Sequence, residues 1–196
     1  YRLRVARGVS PEDLKKKRKE IDRLNKKYKN FKILMGSEVE IDMDGNLDYN
    51  EDILSSLDIV IGAVHTGFEQ SRDKLTQRIV RACQNKHLNI LAHPMGIHIG
   101  KREAYDVDFA EICKAAVDHN VFLEVNSFPV RLDLNAPNIY FAKQQGVKFV
   151  INTDSHNIIH MDYMQFGITT ARRGWLTKSD VINTQPLAKL LKSIKK

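Results

Sequence analysis

The feature that most restricts how this chain can fold is an alternation. Short, almost uninterrupted apolar runs at residues 59–64, 88–92, 121–125 and 147–151 are separated from one another by stretches with helical periodicity. Strands that are buried on both faces read this way, and helices between them point to a parallel sheet of the α/β class. An earlier run at 31–34, continuing through Met35-Gly36-Ser37-Glu38, supplies a fifth strand. Helices are expected from Pro11 to about Tyr28 and over 52–57, 71–85, 108–119 and 135–145. After the last strand, further helical segments are expected near 163–172, 178–183 and 187–194. The first helix carries its own start signal, Ser10-Pro11-Glu12-Asp13, with a capping hydroxyl, proline at the first helical position and acids in the first turn. With 196 residues and no repeat or low-complexity linker, the chain suits a single domain.

Composition narrows the partners. The net charge of +7 favours phosphate-bearing ligands, but much of it sits on the exposed face of the first helix and in the tail, as Lys15–Arg18, Lys26, Lys27, Lys29, Lys189, Lys192, Lys195 and Lys196. Charge alone therefore does not establish nucleic-acid binding. The two cysteines, Cys83 and Cys113, fall in amphipathic helices and read as buried thiols of a reducing compartment. No apolar run is of bilayer-spanning length, and a cytoplasmic location without membrane contact is expected. The absence of a starting methionine is read as the mark of a piece cut from a longer protein.

The chemistry lies where the strands stop. The run at 147–151 ends in Asn152-Thr153-Asp154-Ser155-His156, and in extended backbone Asp154 and His156 leave on one face. Other strands end at Glu38, His65 and His93-Pro94, with a second acid, Glu40, on the face of Glu38. Taken singly, Glu38 reads equally as a solvated acid, and His65 and His93 as hydrogen-bonded core histidines. A parallel α/β sheet, however, brings all carboxyl ends of its strands to one side, where ligands bind. Mixed imidazole and carboxylate donors suit zinc, manganese or iron. Divalent ions held this way lower the pKa of water and bind phosphate oxygens, which makes phosphoester hydrolysis the natural reaction class. His87, His98, His119 and His160 lack the strand-end placement and read as surface or packing residues.

The motifs Gly36-Ser37-Glu38-Val39, Ala63-Val64-His65-Thr66-Gly67-Phe68, Ala92-His93-Pro94 and Asn152-Thr153-Asp154-Ser155-His156 resemble successive motifs of the PHP (polymerase and histidinol phosphatase) family. Arg4-Val5-Ala6-Arg7-Gly8, Arg131-Leu132-Asp133-Leu134 and Thr170-Ala171-Arg172-Arg173-Gly174-Trp175-Leu176 resemble one branch, the PHP domain at the C-terminus of bacterial and archaeal family X DNA polymerases. The resemblance implies a PHP-type distorted (βα)7 barrel, of which about five βα units are present here. It implies metal ligation by Glu38, His65, His93, Asp154 and His156, with Asp154, His156 and His65 at the centre of the chemistry. Up to three divalent ions, manganese or zinc, are expected in a complete site.

The same resemblance implies an earlier His-x-His motif, a nearby aspartate and a Thr-Asp-His ending a second strand, and none of these is in the chain. Residues 1–196 are therefore read as one PHP domain fragment, with two barrel strands and the upstream polymerase domains absent. Arginine offers phosphate a bidentate contact that lysine does not. Arg7 and Arg131 are the candidates for gripping a DNA phosphate, and Asn126, at another strand end, either bonds substrate or ties the next loop. The expected function is metal-dependent hydrolysis at DNA 3′ ends during repair, with DNA and the upstream polymerase domains as partners. Two alternatives are a small-molecule phosphatase resembling histidinol phosphatase and a metal-poor structural or DNA-binding module.

Overall fold

The computed structural model describes residues 8–195. Five strands, β1 (Gly36–Glu40), β2 (Ile59–Ala63), β3 (Ile90–Leu91), β4 (Phe122–Asn126) and β5 (Phe149–Asn152), form one sheet in the order β1-β2-β3-β4-β5. Every neighbouring pair is parallel. The connecting helices are α2 (Glu51–Ser56), α3 (Arg72–Cys83), α4 (Phe109–Asp118) and α5 (Ala136–Gln144). Helix α1 (Pro11–Lys27) precedes the sheet, and α6 (Met164–Arg173) and α7 (Leu187–Ile194) follow it. A strand order that never reverses is barrel winding, since an open doubly wound sheet switches direction at its ligand crevice. The fold is an α/β partial barrel.

Local chemistry accounts for most element limits. The side chains of Ser10, Asn50, Asp108 and Asn135 each accept a backbone N–H three residues on and start α1, α2, α4 and α5. Strand β3 is short because it runs into His93, whose φ of 31° is left-handed, and then Pro94, which has no N–H to give. Both cysteines are buried and neither is part of a disulfide.

The structure departs from expectation in three places. Residues 31–34 are not a strand: both backbone groups of Ile33 are taken by the Asn25 amide, at 2.8 and 2.9 Å, so they never enter the ladder. The first strand instead runs on to Glu40, which places Glu38 within it and not at its end. Residues 178–183 do not form a helix either. Asp180 accepts the Thr177 N–H and hydroxyl to close a turn, Val181 forms a parallel bridge with Phe149, and only Ile182–Thr184 coil, as a short 3-10 turn. A 3-10 helix at Ile158–Tyr163, unannounced in the sequence, joins β5 to α6.

The two faces of the sheet are covered differently. One carries Val39, Val60, Leu91, Leu123 and Phe149 under α3, α4 and α5. On the other, register aligns Glu38, Ile61, Ile90 and Phe122 across four strands. Toward the strands' N-terminal ends this inner face is apolar and is filled by α7, with Ile194 and Leu191 against Ile90, Phe122 and Val150. Asn89 and Asn120 fasten α7 there by donating to the carbonyls of Ile194 (2.7 Å) and Ser193 (3.1 Å). Toward the C-terminal ends the same face turns polar, with Glu38, Glu124, Asn126 and Asn152. No helix among the described residues is long and apolar enough to cross a membrane.

Candidate metal centre

Glu38 on β1, His65 just past β2 and His93 just past β3 meet over the polar half of the inner face, each offering one ligand atom within 4.8 Å of the others. Glu38 Oε1 lies 2.8 Å from His65 Nε2 and 3.6 Å from His93 Nε2, the latter too long for a hydrogen bond. The two imidazoles stand edge to face with centroids 5.3 Å apart. His93 is 1% exposed, and neither ring nitrogen has a hydrogen-bond partner. A polar group buried without a partner is costly, so an imidazole in this setting fits a cation. One carboxylate and two imidazoles are a donor set for zinc or manganese.

The electrostatics of the cluster divide between its members, keeping Glu38 charged and a proton on His65 that a cation would have to displace. Burial works against the charge on Glu38, but the imidazoles of His65 and His93 outweigh it and hold the carboxyl well below the usual range. Burial likewise disfavours a charged His65. The hydrogen bonds to Glu38 and Glu40 prevail and lift it to about 9. Deeper in, Glu124 is raised, chiefly by burial. Its carboxylate accepts the His93 backbone N–H (2.7 Å) and the amides of Asn126 (3.1 Å) and Asn152 (2.8 Å), tying together the ends of β3, β4 and β5. Asp133 is fully buried, which pushes it up to about 6, and accepts the N–H groups of Met95 and Ile97.

Asp154 and His156 stand on the far rim of the same cleft, a cavity of about 400 Å³ that Glu38, His65 and Arg131 also line. They do not join the three-residue set. Asp154, left-handed at φ 52°, gives its carboxylate to Arg131 Nε at 3.3 Å and to the Asn126 amide at 3.2 Å. The His156 ring is 72% exposed and pairs through Nδ1 with the Asp154 carbonyl at 2.7 Å. Arg131 reaches the cleft, and its buried Nη1 has no partner. Asn126 is 1% exposed and fully engaged, its amide donating to Glu124 and Asp154 and its oxygen accepting the Phe128 N–H, so it ties the loop. Arg7 lies outside the described residues.

Several residues here were not singled out for the site from the sequence. Glu124 interrupts an otherwise apolar strand, a signal that was present in Phe122-Leu123-Glu124-Val125. Arg78 sits on the inward face of α3 between Leu75 and Ile79, where an apolar residue is the rule. His160, read as a surface or packing residue, packs beside His156 in a ring cluster with Phe128 and Tyr163, at centroid distances of 5.0 Å to each.

The chain is 44% identical over 185 residues to the DNA polymerase/3'-5' exonuclease PolX of Bacillus subtilis (strain 168), covering 94% of this chain and 32% of that protein. It thus spans about a third of that relative's length. It is 32% identical over 171 residues to a probable phosphatase of Thermoanaerobacter sp. (strain X514), covering 82% of this chain and 67% of the phosphatase. The crystal structure of histidinol phosphate phosphatase from Lactococcus lactis, complexed with zinc, L-histidinol and phosphate, superimposes with a TM-score of 0.57. That match covers 84% of this chain and 75% of that one at 20% identity, a likeness of fold. No family model matches the chain. A partial βα barrel with a carboxylate inside its first strand and imidazoles just past the next two, and a phosphatase relative matched over two thirds of its length, places this chain in the PHP family.

Proposed function

We propose that the chain is the PHP domain of a family X DNA polymerase and that its cleft hydrolyses phosphodiesters at DNA 3′ ends, as a 3′→5′ exonuclease or end-cleaning activity. Residues 1–196 form one domain, completed in the whole protein by two earlier strands and preceded by polymerase domains. The observation that carries the reading is His93, a buried imidazole with no hydrogen-bond partner, grouped with Glu38 and His65. Glu38, His65 and His93 would hold one divalent ion, manganese or zinc, with Asp154 and His156 contributing from the opposite rim to a set of up to three. When bound, such ions activate water and neutralise phosphate charge. The chain's own residues do the rest. Arg131 offers its unpartnered Nη1 to a phosphate oxygen, Arg7 is a second candidate grip, and Glu124 fixes the backbone that presents His93. DNA is the proposed substrate and the cytoplasm, where Cys83 and Cys113 stay reduced, the proposed compartment.

The test is Asp154→Ala in the full-length protein. Manganese-stimulated shortening of a labelled single-stranded oligonucleotide should fall by more than about 100-fold. Undiminished hydrolysis would overturn the assignment. The similarity to probable phosphatases supports a second reading, a small-molecule phosphatase with the same site. Faster turnover of histidinol phosphate than of the oligonucleotide would favour it, and a purified protein with no transition metal would favour a structural role.

A further inference from the structure

A histidine that binds a cation through one ring nitrogen needs the other to be held, or the tautomer and ring orientation are left to chance. In His65 the nitrogen facing Glu38 is Nε2. Nδ1 points the other way, to Glu40 Oε2 at 2.6 Å. The same carboxylate accepts the His65 backbone N–H at 3.1 and 3.2 Å and the Thr66 hydroxyl at 2.9 Å. Glu40 is thus gripped at several points and almost buried, a position that a carboxylate occupies only with compensating charge. Arg78 supplies that charge from α3, with Nη2 at 3.4 Å from Glu40 Oε1 and a side chain wholly out of water.

Arg78 is itself anchored. Its Nε donates to the Ile41 carbonyl at 3.2 Å, as does Nη2, and its Nη1 donates to the Thr66 carbonyl at 2.9 Å and to Gln70 Oε1 at 3.1 Å. A continuous chain of contacts therefore runs from the outer helix layer through Arg78 and Glu40 to His65. We propose that Glu40, backed by Arg78, is the positioning residue that fixes His65 with Nδ1–H toward itself and the Nε2 lone pair toward the cation. Glu40 touches neither the cation nor the substrate. It differs from a simple loop tie in that its charge, and not only its shape, is required.

The inference rests on Glu38, His65 and His93 as the ligand set, and its test uses cobalt(II) alone, without DNA. Glu40→Gln keeps the shape and removes the charge, and Glu40→Asp keeps the charge on a shorter arm. In the full-length protein, calorimetric titration should show cobalt affinity falling roughly 10- to 100-fold in Glu40→Gln and partly recovering in Glu40→Asp. Nitrogen NMR of the zinc-loaded wild type should place the His65 proton on Nδ1. Wild-type cobalt affinity in Glu40→Gln, or a His65 proton on Nε2 in the loaded wild type, overturns the proposal. Equal losses in both variants, matched by equal losses of melting temperature without metal, also overturn it, because only structure would then be at stake. An oligonucleotide left intact by a protein that binds cobalt as described defeats the nuclease reading and leaves this one standing. Failure of the wild type to bind cobalt removes the ligand set on which both depend.

Discussion

His65 is pressed between two carboxylates, 2.8 Å from Glu38 and 2.6 Å from Glu40, and this sets how the domain responds to pH. Its folded pKa, lifted to about 9, exceeds the ordinary 6.5, so the folded state holds a proton that the unfolded chain releases sooner. The resulting stability is fully present below pH 6.5 and is lost as pH rises through about 9. At roughly 1.4 kcal/mol per pH unit, it amounts to no more than about 3.5 kcal/mol. Thermal melts in chelator should show the wild type losing stability between those limits and His65→Asn losing much less of it. A cation on Nε2 must displace this proton, so metal binding should release protons and tighten with rising pH over the same window. Glu38, His65 and His93 were legible as candidates because each follows or interrupts an apolar run. Arg78 was not, because two of its acceptors, Ile41 and Glu40, lie nearly forty positions away, and no local pattern announces that a buried arginine has found them.

At the scale of elements, the best-read parts are those whose signals are local. Ser10, Asn50, Asp108 and Asn135 cap helices within a residue or two of where the sequence places them. The segment at 178–183 shows the opposite case, because its conformation is decided by the free edge of β5. Asn183 lays its side-chain amide along that edge, accepting the Ile151 N–H at 3.2 Å and donating to its carbonyl at 2.8 Å. The Phe149 N–H goes to the Asp180 carbonyl at 2.9 Å. A strand edge left bare invites pairing with another chain. Asn183→Ala should therefore cost about 1–3 kcal/mol in urea unfolding. It should also raise self-association, read by light scattering across a concentration series.

For the molecule as a whole, the sequence announced a parallel α/β sheet, and the family resemblance pointed to a barrel. That α7 fills the inner face was not legible, since an amphipathic helix does not name the surface it will cover. The arrangement divides the interior into an apolar lower half and a polar upper half, and the cleft lies against the polar one. Ile194→Ala should lower stability by about 2–4 kcal/mol through the cavity it leaves at the base. Cobalt affinity at the upper end should stay within about twofold, since sites separated by packed side chains behave additively. Chemical unfolding and titration of the same variant check both halves of that expectation.

His93 has a consequence for how long each copy of the protein lasts. Its two nitrogens, shut from water and without a hydrogen-bond partner, subtract from the stability of the fold until an ion occupies them. By mass action, an ion that binds only the folded form lowers the fraction of molecules open at any instant, and proteases act on that fraction. A copy supplied with its ion should outlive a starved one under limited digestion, with Ser155–Ile159, the exposed run beside the cleft, cut first in both. Clearance would then sort these molecules by whether their chemistry is ready.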